Sequence, residues 1–309
     1  MSAAIKLSSP ATREFWEIPV LFEDGHLLAL DKPAGLPTSP DRYDPQRPNL
    51  MTLLHTAIAG GKPWARERGL DYLMNAHRLD FEMSGVILLA KNKPALIALA
   101  NLFGSEKPVK KYTALVSGEP PENQFEVDAK LAPHPVKIGL MCVDSKNGKK
   151  SKTQFEVLET FPRGGYALLK CEPLIGRTHQ IRVHLRYAGF PIVGDGLYGG
   201  KPLWLSRLKP NYRLKPGHEE RPLLSRVALH AEELSLPHPV TGATVTITAG
   251  TSATLQVTLS KLGMRLLSKR KTLTVTLTTT QPEGSGAPVV IARSVVTFKK
   301  APKKRNKPR

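Results

Sequence analysis

Residues 76–92, AHRLDFEMSGVILLAKN, constrain the fold more than any other stretch of this chain. A charged cluster, His77-Arg78-Leu79-Asp80, stands directly before Ser84-Gly85 and an apolar run, Val86 to Ala90. The run has the length and composition of a buried strand. Aspartate is a poor strand former and is costly to bury unpaired, so the cluster belongs in a loop that feeds the strand. A carboxylate at the mouth of a core strand is either half of a structural ion pair or a reactive group. The residues alone leave both readings open.

The surrounding chain reads as many strands with few helices. Val20–Glu23 and Leu27–Asp31 flank an Asp24-Gly25 hairpin signal, with His26 completing the turn. Asn49 can cap a helix over Leu50–Ala59, ended by Gly60-Gly61, and Asn92 can cap a second, from Pro94 to about Phe103. Strands are expected at Lys110–Ser117, Phe125–Leu131, Leu140–Val143, Ser151–Thr160 and Tyr166–Glu172, with SKNGKK (145–150) as a hairpin turn. Thr178 can cap a helix from His179 to Ala188, stopped by Gly189. Ala228–Ser235 and Ala243–Thr248 follow as strands around a turn at Pro239–Gly242. This order predicts an α+β fold with a mixed, mostly antiparallel sheet and flanking helices.

Charge placement points to a polyanion. Residues 261–309 hold 13 Lys or Arg against one acid, Glu283, whereas the other 260 residues hold 32 basic and 25 acidic groups. Such a distribution suits nucleic acid, and its bland reading is a solubilising tail. Thr272–Thr280 and Pro288–Phe298 alternate like a two-stranded appendage, and KKAPKKRNKPR at the end is expected to be disordered. Cys142 and Cys171 form no metal or redox motif, and no stretch approaches the roughly 18 apolar residues of a membrane helix. A soluble, cytoplasmic protein is expected.

Three distant segments each supply an unusual residue: Asp80, Tyr112 in KKYTALVSG, and Arg182 in IGRTHQIRVHLRYAG. On a helix, His179 and His184 are about 140° apart, so a two-histidine metal site is not expected. Ile181, His184, Leu185 and Ala188 share the expected core face, and Arg182 flanks it, placed to hold a carboxylate ionised and oriented. Arg177 and Thr178 sit at the helix N-terminus, where backbone N–H groups favour a phosphate. Asp80 and Glu82, two apart, also resemble a glycosidase pair. No Gly-rich phosphate loop occurs, so no nucleotide cofactor is expected.

These motifs together resemble the RluA family of pseudouridine synthases. HRLDFEMSGVILLAKN is similar to its catalytic signature, LDKPAGLPTSP (30–40) to its first motif, KKYTALVSG to its tyrosine motif, and GRTHQIRVHL (176–185) to its arginine motif. VGDGLYGG (193–200) and LLSRVALHAEELSLPHPVTGA are similar to later family segments, so the resemblance runs from about residue 18 to 264. It implies a lead-in over 1–17, a catalytic domain over 18–264 and a basic extension over 265–309, with no accessory RNA-binding domain expected ahead of residue 18. It further implies a monomeric isomerase that converts uridine in ribosomal or transfer RNA to pseudouridine without metal or cofactor. Asp80 would be the essential carboxylate, attacking C1′ or removing the C2′ proton; Tyr112 would stack on the uracil and could take the proton from C5, and Arg182 would pair with Asp80. Arg78 would fill the place of the flipped nucleotide, and His77, Lys32, Lys110, Lys111, Arg177 and Thr178 would meet RNA. Met83 replaces the family's usual threonine, which allows a looser catalytic loop. Pro37-Thr38-Ser39-Pro40 replaces Val-His-Pro, with little effect expected. Two rival readings are a non-catalytic RNA-binding or ribosome-assembly protein on the same fold, and a nucleosidase or glycosidase using Asp80 and Glu82.

Overall fold

Strand β5 (Ser84–Ala90) runs inside the main sheet, and all seven of its residues are buried. That explains its unbroken apolar sequence: a strand covered on both faces has no polar side to present. Ile87 and Leu89 enter one core, while Val86, Leu88 and Ala90 enter a second on the opposite face. The computed structural model describes residues 4–249 except 42–43, 163, 210–211 and 215–216, together with two later strand backbones, 272–281 and 289–299.

Eleven strands form the main sheet, in the order β1-β2-β3-β5-β12-β6-β11-β10-β7, with β4 added on β5 and β13 on β12. Their ranges are β1 (Ala4–Ser9), β2 (Glu14–Glu23), β3 (Leu27–Lys32), β4 (Met74–Asn75), β6 (Val109–Ser117), β7 (Gln124–Asp128), β10 (Lys152–Phe161), β11 (Tyr166–Pro173), β12 (Leu229–Pro237) and β13 (Thr244–Thr248). A separate ladder pairs β8 (Leu131–Pro133) with β9 (Met141–Val143). Every pairing in the main sheet is antiparallel except β5 with β12. Gly85 makes that parallel contact possible. It has φ +116, and a Cβ there would lie 2.1 Å from the Ala231 carbonyl oxygen.

The capped helices form where the sequence predicts them. In α1 (Leu50–Ala59) the Asn49 side chain accepts from Thr52 N–H, and in α3 (Lys93–Gly104) the Asn92 side chain accepts from Ala95 N–H. Leu50 and Leu54 of α1 join the first core, and Ala95 and Leu99 of α3 join the second. Short helices α2 (Pro63–Glu67) and α5 (Leu205–Leu208) lie in connections. Helix α4 (Gln180–Tyr187) carries the arginine motif.

Several expectations need correction. Residues ahead of 18 are not merely a lead-in, because β1 and β2 pair from Ala4↔Pro19 to Ser9↔Glu14. The strand expected over Phe125–Leu131 breaks after Asp128, and its two parts enter different sheets. SKNGKK makes a turn, with Asp144 Oδ1 accepting from Lys146 and Asn147 N–H, but its flanking strands do not pair as a hairpin. Thr178 does not cap α4; His179 occupies that position, with no side-chain capping bond. The first six residues of α4 are all buried, not one face alone, because Ile181 and Leu185 face the first core while Val183 packs with Leu131 of β8 and Tyr198.

The chain divides into two compact units, 1–251 and 252–309. In the second, β14 (Thr272–Gln281) pairs antiparallel with β15 (Val289–Lys299), as the alternation predicts. The expected boundary at 264/265 and the final basic run lie outside the described residues. Among the described residues, no helix is long and apolar enough to cross a membrane.

Candidate active site

The loop from His77 to Met83 turns tightly before β5. Met83 N–H donates to the Asp80 carbonyl at 3.2 Å, closing the turn around the aspartate. Segment 35–38 pins this loop on both sides of Asp80. Gly35 N–H donates to the Phe81 carbonyl at 2.8 Å. The Thr38 hydroxyl donates to the Leu79 carbonyl at 3.0 Å and accepts from Leu79 N–H at 3.2 Å. The replacement at Thr38 is therefore not inert: this hydroxyl satisfies both backbone groups of the residue before Asp80. The Met83 side chain is buried in the first core. Further along, Ser84 Oγ lies 2.9 Å from His230 Nδ1, tying the start of β5 to β12.

Arg182, 1% exposed, organises the site. Its Nε and Nη2 fork onto Asp195 at 2.7 and 2.9 Å. Nη1 reaches Glu82 Oε2 at 3.2 Å and Asp80 Oδ2 at 3.4 Å. Burial alone would lower the guanidinium's pKa, but Asp195, Glu82 and Asp80 together hold it above its ordinary value. Arg182 does pair with Asp80, yet Asp195 is its tighter, bidentate and fully buried partner. Asp195 stood in VGDGLYGG with no role assigned. A lone acid among glycines after Ile192-Val193 was the available signal. Gly200 is required for that turn, because a Cβ there would lie 1.8 Å from the Ile192 carbonyl oxygen.

A cavity of 380 Å³ opens beside this cluster. Asp80, Tyr112 and Arg182 line it together, although they come from a loop, β6 and α4. His77, Arg78, Lys110, Arg177 and Thr178 line it as well. Tyr112 is half-buried. Burial, and then the nearby Asp80 charge, raise its pKa, so the phenol stays protonated at neutral pH. Arg78 is exposed and makes no ion pair among the described residues. Burial lowers the pKa of Lys110.

The structure places other expected residues differently. Lys32 is fully buried, and its Nζ donates to the Pro33 and Leu36 carbonyls at 2.8 and 2.7 Å, so it stabilises the 33–38 segment from within. Burial lowers its pKa to about 7 despite the charges of Asp80 and Glu82. Lys111 pairs with Glu233 at 2.7 Å and does not line the cavity. His77 lies in the cavity wall as a neutral ring: Nε2 accepts from Leu88 N–H at 3.0 Å, the ring stacks on Phe103, and burial, with Lys110 nearby, lowers its pKa to about 4. Arg177 N–H is taken by the Gln180 side chain and its Nε by the Lys150 carbonyl, which weakens the phosphate reading of that helix start. His184 is a core histidine between Thr153 Oγ1, Ser151 Oγ and the Ala129 carbonyl. His179 and Tyr198 were not expected at the site. The His179 Nε2 lies 3.8 Å from Asp80 Oδ2, and Tyr198 Oη lies 2.7 Å from His179 Nδ1.

A carboxylate, the buried arginine that pairs with it and is forked onto Asp195, a protonated phenol and an exposed arginine thus surround one cavity. Such a set can act on a flipped base while holding its own carboxylate fixed. Residues 26–187, more than half of the chain, match the family model of RNA pseudouridylate synthases. The chain is 31% identical over 237 residues to the dual-specificity RNA pseudouridine synthase RluA of an Escherichia coli strain, covering 77% of this chain and 94% of that protein. It is 37% identical to the ribosomal large subunit pseudouridine synthase D of Nitrosomonas europaea, covering 73% of this chain and 59% of that one. Among solved structures, human RNA pseudouridylate synthase domain containing 1 superposes with a TM-score of 0.55 at 23% identity, covering 82% of this chain and 94% of the other. That likeness concerns the fold.

Proposed function

The chain belongs to the RluA family of RNA pseudouridine synthases, and we propose that Asp80 is the carboxylate on which its isomerase chemistry turns. The protein converts uridine in RNA to pseudouridine. The N1–C1′ bond breaks, the base turns, a C5–C1′ bond forms, the C5 proton leaves and N1 gains a proton. In this reading Asp80 either attacks C1′ or removes the C2′ proton. Arg182, fixed by its fork on Asp195, holds Asp80 in place and aimed. Tyr112 stacks on the uracil, and its raised pKa favours that role over taking the C5 proton. Arg78 enters the space left by the flipped nucleotide, and Lys110, Arg177 and Thr178 meet the RNA backbone.

One observation carries this reading: three residues separated by up to 102 positions converge on a single cavity with Asp80 held by a buried arginine. A binding-only protein has no need of all three, and a glycosidase using Asp80 and Glu82 would release free uracil, which a synthase does not. The substrate is proposed to be structured ribosomal or transfer RNA, acted on by a monomer in the cytoplasm. The catalytic domain is proposed to include everything from residue 4 to about 251. The basic segment 265–309 is proposed to add RNA affinity; deleting it should weaken binding and flatten its salt dependence, and unchanged binding and slope would sink that role.

The test is conversion itself. Bulk RNA from a strain lacking the enzyme is incubated with the protein, pseudouridines are mapped, and free uracil is assayed. New pseudouridine without free uracil is expected. Free uracil would favour the glycosidase reading.

A further inference from the structure

His179 differs from the other residues of the cavity in its backbone. It has φ 53 and ψ 19, a left-handed conformation that costs a non-glycine residue about 1 kcal/mol or more. Among the described non-glycine residues only Arg13 and Glu106 share a positive φ. Strain of this kind persists where the surroundings hold it. Here the surroundings are Tyr198 and Asp80.

Elimination fixes the proton on the ring. Met141 N–H donates to Tyr198 Oη at 3.0 Å. The phenolic proton then has one acceptor within reach among the described residues, His179 Nδ1 at 2.7 Å. A proton on Nδ1 would leave the hydroxyl of a buried tyrosine without an acceptor. The imidazole therefore carries its hydrogen on Nε2, the nitrogen nearest Asp80. Burial and the Arg182 charge outweigh the carboxylates and lower the pKa of His179, so the ring is neutral at pH 7. Burial likewise pushes Tyr198 up to about 12.

We propose that His179, oriented by Tyr198, is a positioning residue: its Nε2–H and the Arg182 Nη1–H together hold Oδ2 of Asp80 and leave Oδ1 as the oxygen that reacts with the nucleotide. Both groups approach the same oxygen, at 3.8 and 3.4 Å. Oδ1 accepts no hydrogen bond from any described residue. Contacts of this length shorten when substrate fills a site. The proposal rests on Asp80 being the catalytic carboxylate, and it makes Tyr198 part of the same device without touching the substrate.

Two readouts test it. Long-range nitrogen–proton NMR of histidine-labelled free enzyme should show His179 as the Nε2–H tautomer, and Tyr198→Phe should give a mixture. In single-turnover kinetics, His179→Asn should lower the rate about tenfold or more while the RNA Kd stays within about twofold. Asparagine tolerates the left-handed backbone, so the variant should fold, with a loss of no more than the about 1–3 kcal/mol of an orphaned Tyr198 hydroxyl. The double variant should be no slower than His179→Asn alone, because Tyr198 acts through the ring. An Nδ1–H tautomer in the wild type, a rate within about twofold in His179→Asn, or parallel loss of rate and RNA affinity would each overturn the proposal. An active Asp80→Asn enzyme would instead overturn the reading beneath it, and the NMR result stands apart from that outcome.

Discussion

Helices α3 and α4 pack on the same sheet and border the same cavity, yet they are built on opposite terms. Helix α3 begins with an asparagine that caps it, buries Ala95 and Leu99 against the second core, and carries no charged residue beyond Lys93. Helix α4 begins with a strained, uncapped histidine and buries an arginine one turn later. Ordinary propensity explains the first. The second departs from propensity at its start, where it supplies Thr178, His179 and Arg182 to the cavity. The difference teaches that the functional end of this fold is held by tertiary contacts rather than by local preference.

The contrast can be broken most easily at the two buried side chains. Arg182→Met leaves Asp195 buried without its partner and should cost about 3–5 kcal/mol in denaturant unfolding, with activity lost. Leu99→Ala in α3 should also cost about 2–5 kcal/mol, but kcat should hold at temperatures where the variant is folded. If Leu99→Ala slowed chemistry as Arg182→Met does, the two helices would not differ in kind. Thr38→Val, in the segment that pins the Asp80 loop, orphans both backbone groups of Leu79; a loss of about 1–3 kcal/mol is expected, with kcat reduced and rescued by Thr38→Ser. Asn92→Ala should cost only about 1 kcal/mol, read from the melting transition, and leave kcat unchanged.

A further effect is one of pH. His77 stacks on Phe103 of α3, and its folded pKa, about 4, lies below the ordinary value of 6.5. The unfolded chain therefore binds more protons between those values, and stability should fall as pH drops from about 6.5 towards 4. His77→Gln should remove that part of the slope. An unchanged slope in the variant would assign it to other groups.

Much of this was legible in the sequence. The Asn49 and Asn92 caps, the buried run 86–90 and the convergence of Asp80, Tyr112 and Arg182 follow from local pattern or from motif resemblance. What escaped is what long-range contact decides. Asp195 binds Arg182 across a loop whose geometry depends on Gly200, and nothing local announces the pairing. The resemblance put Lys32 on the RNA, but two carbonyls receive it inside, where lysine is rarely found. Thr178 looked like the cap because its hydroxyl suits one, whereas Tyr198 and Asp80 hold the next residue in that place. The two-sided burial of α4 depends on the β8–β9 ladder; β9 is close to the expected strand Leu140–Val143, but the start of β8 is merged in sequence into the strand expected over Phe125–Leu131.

The central claim is that one arginine gathers three carboxylates of which Asp80 alone performs the chemistry. Tritium release from RNA labelled at uracil C5 tests it most directly, comparing wild type, Asp80→Asn and Glu82→Gln at saturating enzyme. The account predicts release by wild type, none by Asp80→Asn despite equal RNA binding, and release by Glu82→Gln within about tenfold of wild type. Release by Asp80→Asn at the wild-type rate, with Glu82→Gln inactive, would contradict it.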